Sequence, residues 1–381
     1  MSALVKKVII IGPAFPLRGG IANFNEALSR ALNSAGIPSA IYSFSLQYPG
    51  FLFPGKSQFD FGTGPDDLKI HTKINSINPF NWLSVAASIK KEKPDLVIIR
   101  YWLPFMGPCL GTIAARIKKR TNIKVIAITD NVIPHEKRPG DSIFTRYFIK
   151  RCDGFVAMSR SVLTDLSIFT DSDKKSFLPH PIYDIFGDKV DKQSALRHLG
   201  LDPNHRHILF FGFIRKYKGH DLQLEAMSDP RIRNSGVKLI IAGEYYEDPS
   251  FYTDLISKFR LQEQVILRTE YIASSEVRYY FCASDIIAQP YRTATQSGVT
   301  QIAYHFERPM LVTNVGGLPE IVPHQKVGYV TEVSALSIAD SIHDFYLNQR
   351  EADYSLNTVT EKKRFLWSSF VNGVLDLYNK L

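Results

Sequence analysis

The feature that most constrains this chain is an alternation of short β-branched runs with amphipathic stretches, which stops once and then starts again. Val8–Ile11 reads as a buried strand, and a Gly/Pro-containing loop follows it. Residues 21–34 then place Ile21, Phe24, Leu28, Ala31 and Leu32 at helical spacing. Helical patterns at 82–90, 110–119 and 144–150 alternate with strand patterns at 96–100, 125–129 and 154–158. Residues 178–205 are polar and turn-rich, and at 207–212 the alternation resumes. It runs through strands at 237–242, 265–269, 286–289 and 310–313, with helices at 221–227, 251–259, 275–282 and 298–305. Strands separated by single helices imply right-handed crossovers and parallel sheets. Two such units in succession predict two doubly wound α/β domains, with a ligand at the carboxyl ends of the strands.

Other classes are excluded by what is missing. The 381 residues contain three cysteines, Cys109, Cys152 and Cys282, too few and too scattered for a disulfide framework or a zinc site. No apolar run is long enough to span a bilayer, and the opening Val8–Ile11 run is too short for a secretory leader. A cytoplasmic location is therefore expected. The first loop, Gly12-Pro13-Ala14-Phe15-Pro16-Leu17-Arg18-Gly19-Gly20, lacks the G-x-G-x-x-G spacing of dinucleotide binders. The chain carries no phosphate-binding P-loop, G-x-S-x-G or H-E-x-x-H motif, its ten histidines show no metal-ligand spacing, and no nucleic-acid-binding signature is present.

Five loops that follow strands carry the residues suited to a charged or hydroxyl-rich ligand. Gly19 and Gly20 stand where a helix starts, so exposed N–H groups there can face a phosphate or let a substrate approach. Arg215, Lys216 and Lys218 put three cations in four residues after the strand that opens the second unit, where they can neutralise a diphosphate. Gln296, Ser297, Gly298, Thr300 and Gln301 supply neutral donors and acceptors at another helix start, and Gly316-Gly317 with Glu320 makes a second glycine turn. In the first unit, Asp130, His135 and Glu136 follow the strand at 125–129 and are suited to binding hydroxyls or to moving a proton.

In this order, the Gly19-Gly20 loop, segments 129–136 and 212–219, Ala242-Gly243-Glu244, and segments 284–290 and 309–320 resemble the family-4 glycosyltransferases of the GT-B fold. The resemblance covers nearly the whole chain. It implies two Rossmann-like domains facing across a cleft: an acceptor-binding domain over 1–180, a nucleotide-sugar-binding domain over 181–360, and a helix over 361–381 crossing back to the first. It further implies retaining, metal-independent transfer from a nucleotide-diphosphate sugar, with no other cofactor, to a glycan, lipid-linked or other hydroxyl acceptor. Cell-surface polysaccharide or glycolipid synthesis is the setting it suggests. Lys218 matches the lysine that binds donor phosphate, Arg215 is the companion cation, and Gly243, Glu244, Gly316, Gly317 and Glu320 match donor-side positions. Asp130 and His135 stand near the place of the family's catalytic-site histidine. The family's two glutamates, eight positions apart, fall on Ala294 and Ile302, so Gln296, Ser297, Thr300 and Gln301 are the residues that can replace their hydrogen bonds. A non-catalytic sugar-nucleotide-binding subunit and an epimerase on the same fold are the competing readings.

The net charge of +9 is unevenly divided. Residues 1–180 hold 24 Lys+Arg against 13 Asp+Glu, whereas residues 181–381 hold 22 against 24. The excess gathers at Lys90-Lys91-Lys93, Arg116-Lys118-Lys119-Arg120 and Lys150-Arg151. Solvated helix faces explain each cluster singly. Together they favour an anionic membrane surface, or a lipid-phosphate acceptor, as partner of the first domain.

Overall fold

The structure is a computed structural model that describes residues 5–49, 59, 62–134, 138–182, 185–294 and 297–381. The chain divides into two compact units, one of residues 1–180 with 367–381 and one of residues 181–366. The first holds a seven-stranded sheet: β1 (Val8–Ile11), β2 (Ser39–Leu46), β3 (Ile70–Asn75), β4 (Leu96–Tyr101), β5 (Lys124–Thr129), β6 (Gly154–Ala157) and β7 (Lys175–Phe177). The second holds six strands: β8 (Arg206–Phe211), β9 (Val237–Ala242), β10 (Val265–Arg268), β11 (Ile286–Gln289), β12 (Met310–Thr313) and β13 (Gly328–Thr331).

Every pairing within the two sheets is parallel. The spatial orders are β3-β2-β1-β4-β5-β6-β7 and β10-β9-β8-β11-β12-β13, so both units are wound outward from their first strand in the same way. The order reverses between β1 and β4 and again between β8 and β11, and at such a point the loops leave in opposite directions and open a crevice. Parallel strands covered on both faces read as unbroken apolar runs. Accordingly Val8–Ile11 and Leu96–Tyr101 are buried at every position. In the first unit Ile9, Ile11, Val97 and Ile99 pack under Val85, Ile89, Ile113 and Phe148, while Val8, Ile10, Leu96 and Ile98 pack under Leu28, Leu32 and Val374.

The helix Trp367–Tyr378 belongs to the first unit, where Trp367 and Phe370 lie 5.0 and 5.5 Å from the Phe24 ring. Residues 362–366 stay with the second unit. Several elements depart from the sequence reading, among them the edge strands β7 and β13. Strands β2 and β3 occupy a stretch with no strand expected, because Ser39, Ser43 and Ser45 break the apolar run of β2 and β3 is a half-exposed edge. The polar pause contains the helix Lys192–Leu199, capped by the Asp191 carboxylate accepting from the Ser194 N–H at 2.9 Å and burying only Ala195 and Leu196. Among the described residues, no helix is long and apolar enough to cross a membrane.

The two loops at the reversal point of the second sheet meet at Gly219, whose φ is +69° and whose missing Cβ would stand 1.9 Å from the Pro290 carbonyl oxygen. Gly219→Ala is expected to destabilise the protein by more than the roughly 1–2 kcal/mol of a left-handed L-residue, since a backbone atom blocks the methyl. A denaturation midpoint equal to that of the wild type would contradict this account of the loop.

Candidate functional site

The second unit assembles its site from loops leaving the carboxyl ends of β8, β9, β11 and β12. After β8 the chain turns through Gly212, at φ +100°, whose N–H donates to the Ala242 carbonyl at 2.9 Å. Gly243, at φ +138°, passes so close that a Cβ on it would lie 2.5 Å from the Gly212 carbonyl oxygen. Two loops thus cross at backbone contact distance, which only glycine allows at both conformations. The Ile214 N–H then bonds the Glu244 carbonyl at 2.9 Å, so Glu244 holds the loop by its backbone while its side chain is exposed.

This framing aims two cations. Lys218 bends back over Gly212, its Nζ 3.1 Å from where a Gly212 Cβ would stand, and lies 5.6 Å from the centre of the Tyr291 ring. The residue is only 9% exposed. Among the described residues no hydrogen bond or ion pair reaches its ammonium group. Burial, reinforced by the neighbouring charge of Arg215, pushes Lys218 down from the usual lysine value to about 8. The Arg215 guanidinium stacks 3.8 Å over the Tyr246 ring, and its Nε is buried without a partner. Neither cation has a carboxylate among the described residues, whereas Lys189, Lys192, Arg231, Arg292 and Lys362 of the same unit each pair with one. A buried ammonium beside a half-buried guanidinium, with no carboxylate among the described residues, is costly unless an anion completes it.

The neighbouring loops add neutral groups. Ser297 caps the helix Gly298–His305, its Oγ accepting from the Val299 N–H at 3.2 Å and standing 3.4 Å from the Tyr291 hydroxyl. Thr300 is buried and donates its hydroxyl to the Ser297 carbonyl at 2.6 Å, so it serves the turn itself. Gln301 is 1% exposed and neither of its amide atoms has a partner, leaving a donor and an acceptor open. Ala294 and Ile302, the places of the family's glutamates, both pack into the apolar core. The Thr313 hydroxyl donates to the Tyr291 carbonyl, tying the β12 loop to the β11 loop. Gly316, at φ +51°, and Gly317 lead into the short helix Leu318–Ile321 that carries Glu320.

Backbone and side-chain contacts therefore link Gly212, Lys218 and Gly243 to Tyr291, and Tyr291 to Ser297 and Thr313. Gly19, Gly20 and Asp130 stand in the first unit. Gly19, at φ +118°, precedes the helix Gly20–Ser34 and accepts the Asn23 N–H at 3.1 Å. Asp130 is held by Arg100 through two bonds, from Nε at 2.7 Å and from the second terminal nitrogen at 2.5 Å. His135 and Gln296 lie outside the described residues. Among the described residues no group of three or more His, Cys, Asp or Glu is placed to hold a metal ion. The sequence reading missed Tyr246 and Tyr291, which flank the cations, and Arg100, which reads simply as the polar end of an apolar strand.

Comparison with known proteins agrees with this layout. The family model described as "Glycosyltransferase Family 4" matches residues 18–182, and "Glycosyl transferases group 1" matches residues 205–348. A D-inositol 3-phosphate glycosyltransferase of Segniliparus rotundus is 26% identical over 193 residues, covering 49% of this chain and 43% of that protein. One from Mycobacteroides abscessus is also 26% identical, over 50% of this chain and 43% of its own length. The matched stretch thus spans less than half the length of these relatives. Among solved structures, a glycosyltransferase of Rickettsia africae superposes with a TM-score of 0.73 at 20% identity, over 98% of both chains. Anabaena HepE in complex with UDP superposes with a TM-score of 0.73 at 14% identity, over 98% of this chain and 100% of that one. These likenesses carry the fold, two α/β units of the GT-B type. With one family match on each unit, in chain order and spanning most of the residues between them, the chain belongs to the family-4, group-1 glycosyltransferases.

Proposed function

We propose that the protein transfers a sugar from a nucleotide-diphosphate sugar to a hydroxyl acceptor, with retention of configuration and without a metal ion. The observation that carries this reading is the pair Arg215 and Lys218, buried or stacked at a sheet edge with no carboxylate to balance them among the described residues. A diphosphate supplies the missing charge. The complexes of Anabaena HepE with UDP and with UDP-glucose support a donor of this class.

The reaction follows from the same charges. The acceptor oxygen attacks the anomeric carbon on the face from which the diphosphate departs, the carbon–oxygen bond to phosphate breaks, and the acceptor proton passes to the leaving phosphate oxygen. No strong protein base is needed. Arg215 and Lys218 stabilise the negative charge that grows on the leaving group, and a fixed cation in a dry site does so with little reorganisation. Gln301 and Ser297 are the groups proposed for donor hydroxyls. The acceptor is proposed to be a glycan or a lipid-linked hydroxyl.

An anionic membrane surface is proposed as the partner of the first unit. The Lys90 ammonium donates to the Lys119 carbonyl at 2.6 Å and that of Lys118 to the Arg151 carbonyl at 3.3 Å, so the three basic clusters form one edge. They stand at the carboxyl ends of the helices Pro79–Lys91, Gly107–Lys118 and Asp141–Ile149. There they complement the helix dipoles as well as offering charge to lipid. Binding to phosphatidylglycerol vesicles is expected at low salt and should weaken as salt rises. Absent or salt-insensitive binding would remove this partner.

Three measurements bear on the donor site. Nucleoside diphosphates are expected to raise the melting temperature in proportion to the logarithm of their concentration, and Lys218→Ala should abolish that shift and depress turnover at saturating donor. A full shift retained in the variant would sink the assignment. Second, because burial holds Lys218 at about 8, the folded state suffers most while the group is protonated in both states. Lys218→Met is therefore expected to stabilise the unliganded protein at pH 7 by on the order of 2–3 kcal/mol. Third, the sign fixes the pH dependence of that gain. Between about 8 and the ordinary lysine value the unfolded chain binds the extra proton, so wild-type stability rises with pH and the advantage of the variant shrinks. A variant less stable than wild type at pH 7 would contradict the uncompensated burial.

A further inference from the structure

We propose that Arg100 is a positioning residue, which fixes Asp130 as a carboxylate one strand from the reversal point of the first sheet so that its outward side accepts hydroxyl groups of the sugar substrate. Arg100 stands one residue before the end of β4, and the Asp130 N–H, just past β5, donates to the Tyr101 carbonyl at 2.8 Å. The Arg100 side chain crosses the Phe24 ring at 3.9 Å from its centre and ends on both oxygens of Asp130. Arg100 is 3% exposed whereas the Asp130 side chain is 18% exposed, so the carboxylate is the member of the pair turned toward solvent.

Two features distinguish this pair from a stability device. A buried ion pair generally gives little net stability, because desolvation cancels most of the attraction. The guanidinium also occupies one site on each carboxylate oxygen and leaves a further lone pair on each, which is what a pair of vicinal hydroxyls needs. Beside the pair, the third guanidinium nitrogen, NH1, is buried without a partner, and so is the Oδ1 of Asn25, whose Nδ2 donates to the Pro13 carbonyl at 2.8 Å. Gly12 sits between them: a Cβ there would lie 2.4 Å from Asn25 Nδ2 and 3.1 Å from Arg100 Cβ. An open donor and an open acceptor thus flank the end of β1, beside the crevice where the strand order reverses.

Burial pushes the Asp130 carboxyl above the usual carboxylate range, and Arg100 opposes that rise without cancelling it. Among the described residues the surroundings hold no other charge facing it. The helix Gly20–Ser34 presents Phe24 and Asn25, its Glu26 is engaged by the Phe15 N–H at 2.8 Å, and His180 packs against Phe24 at 5.0 Å. A guanidinium donates hydrogen bonds but is not a proton-transfer group in proteins, so the effect of Arg100 passes through Asp130.

The proposal rests on the transferase reading, and the test separates the two. The full chain is labelled with 13C at aspartate carboxyls, and the Asp130 resonance is identified by its loss in Asp130→Asn. In Arg100→Met its titration midpoint is expected to move up by at least about one pH unit, and Arg100→Lys should return most of the shift. In turnover, Arg100→Met is expected to lose about 10- to 100-fold in kcat/KM at pH 7, with the loss deepening as the pH falls through the raised Asp130 midpoint, while Asp130→Asn loses a similar factor at every pH. An unmoved resonance in Arg100→Met overturns the proposal, as does a loss equal at all pH values, or wild-type kcat/KM in Asp130→Asn. Should Arg100→Met fail to fold, Arg100→Lys carries the same readouts with intermediate shifts expected and the same null results overturning the idea. The thermal shift with UDP reads the second unit and is expected unchanged in all these variants. Its absence in the wild type, with no turnover, refutes the transferase reading instead.

Discussion

The approach of Gly219 to the Pro290 carbonyl is the contact on which the loop arrangement of the second unit depends. With a side chain there, the loop after β8 could not lie against the loop after β11, and Lys218 would not be folded back over Gly212 beneath the Tyr291 ring. Gly212 and Gly243 repeat the device one strand away, bringing a second pair of loops to backbone distance. Backbone closeness, with the Lys216 N–H donating to the Glu247 carboxylate at 3.2 Å, keeps the loop of the two cations in place.

The two sheets share a strand order but treat charge at their carboxyl edges in opposite ways. In the first unit the charge of Arg100 is paired with that of Asp130, and the less buried partner is negative. In the second unit Arg215 and Lys218 have no match among the described residues, and the site is positive. One edge therefore suits hydroxyl groups and the other a diphosphate, which are the two halves of a nucleotide-sugar reaction. Opposite polarity on the same topology is a consequence of a few loop residues, since function lives in sites grafted on a common fold.

Most strands were legible because parallel strands buried on both faces must be apolar throughout, as in 96–100 and 286–289. Strand β3 was not, because an edge strand is buried on fewer sides and Ile70–Asn75 shows a mixed pattern. The helix Lys192–Leu199 was hidden for a related reason: only two of its side chains are buried. At the site, a basic run after a strand pointed to Arg215 and Lys218, which stand close together at the carboxyl edge of the second sheet. Arg100 carried no such mark, since its partner Asp130 is thirty residues away and only the pairing of β4 with β5 joins them. Nor could the sequence tell that Thr300 spends its hydroxyl on its own helix turn while Gln301 keeps its amide open.

The central claim is that the second unit buries a cation in wait for a diphosphate. Calorimetry of UDP binding in buffers of different ionisation enthalpy tests it most directly, because it counts the protons that accompany binding. With Lys218 held at about 8, a bound diphosphate must raise its proton affinity, so at pH 8 binding should take up roughly half a proton. UDP itself is already fully ionised there, with a terminal phosphate pKa near 6. The uptake should fall to nearly zero at pH 7, where Lys218 is already mostly protonated and UDP mostly ionised, and should be absent in Lys218→Met. Tight binding at pH 8 with no proton uptake, or the same uptake in Lys218→Met, would contradict the account.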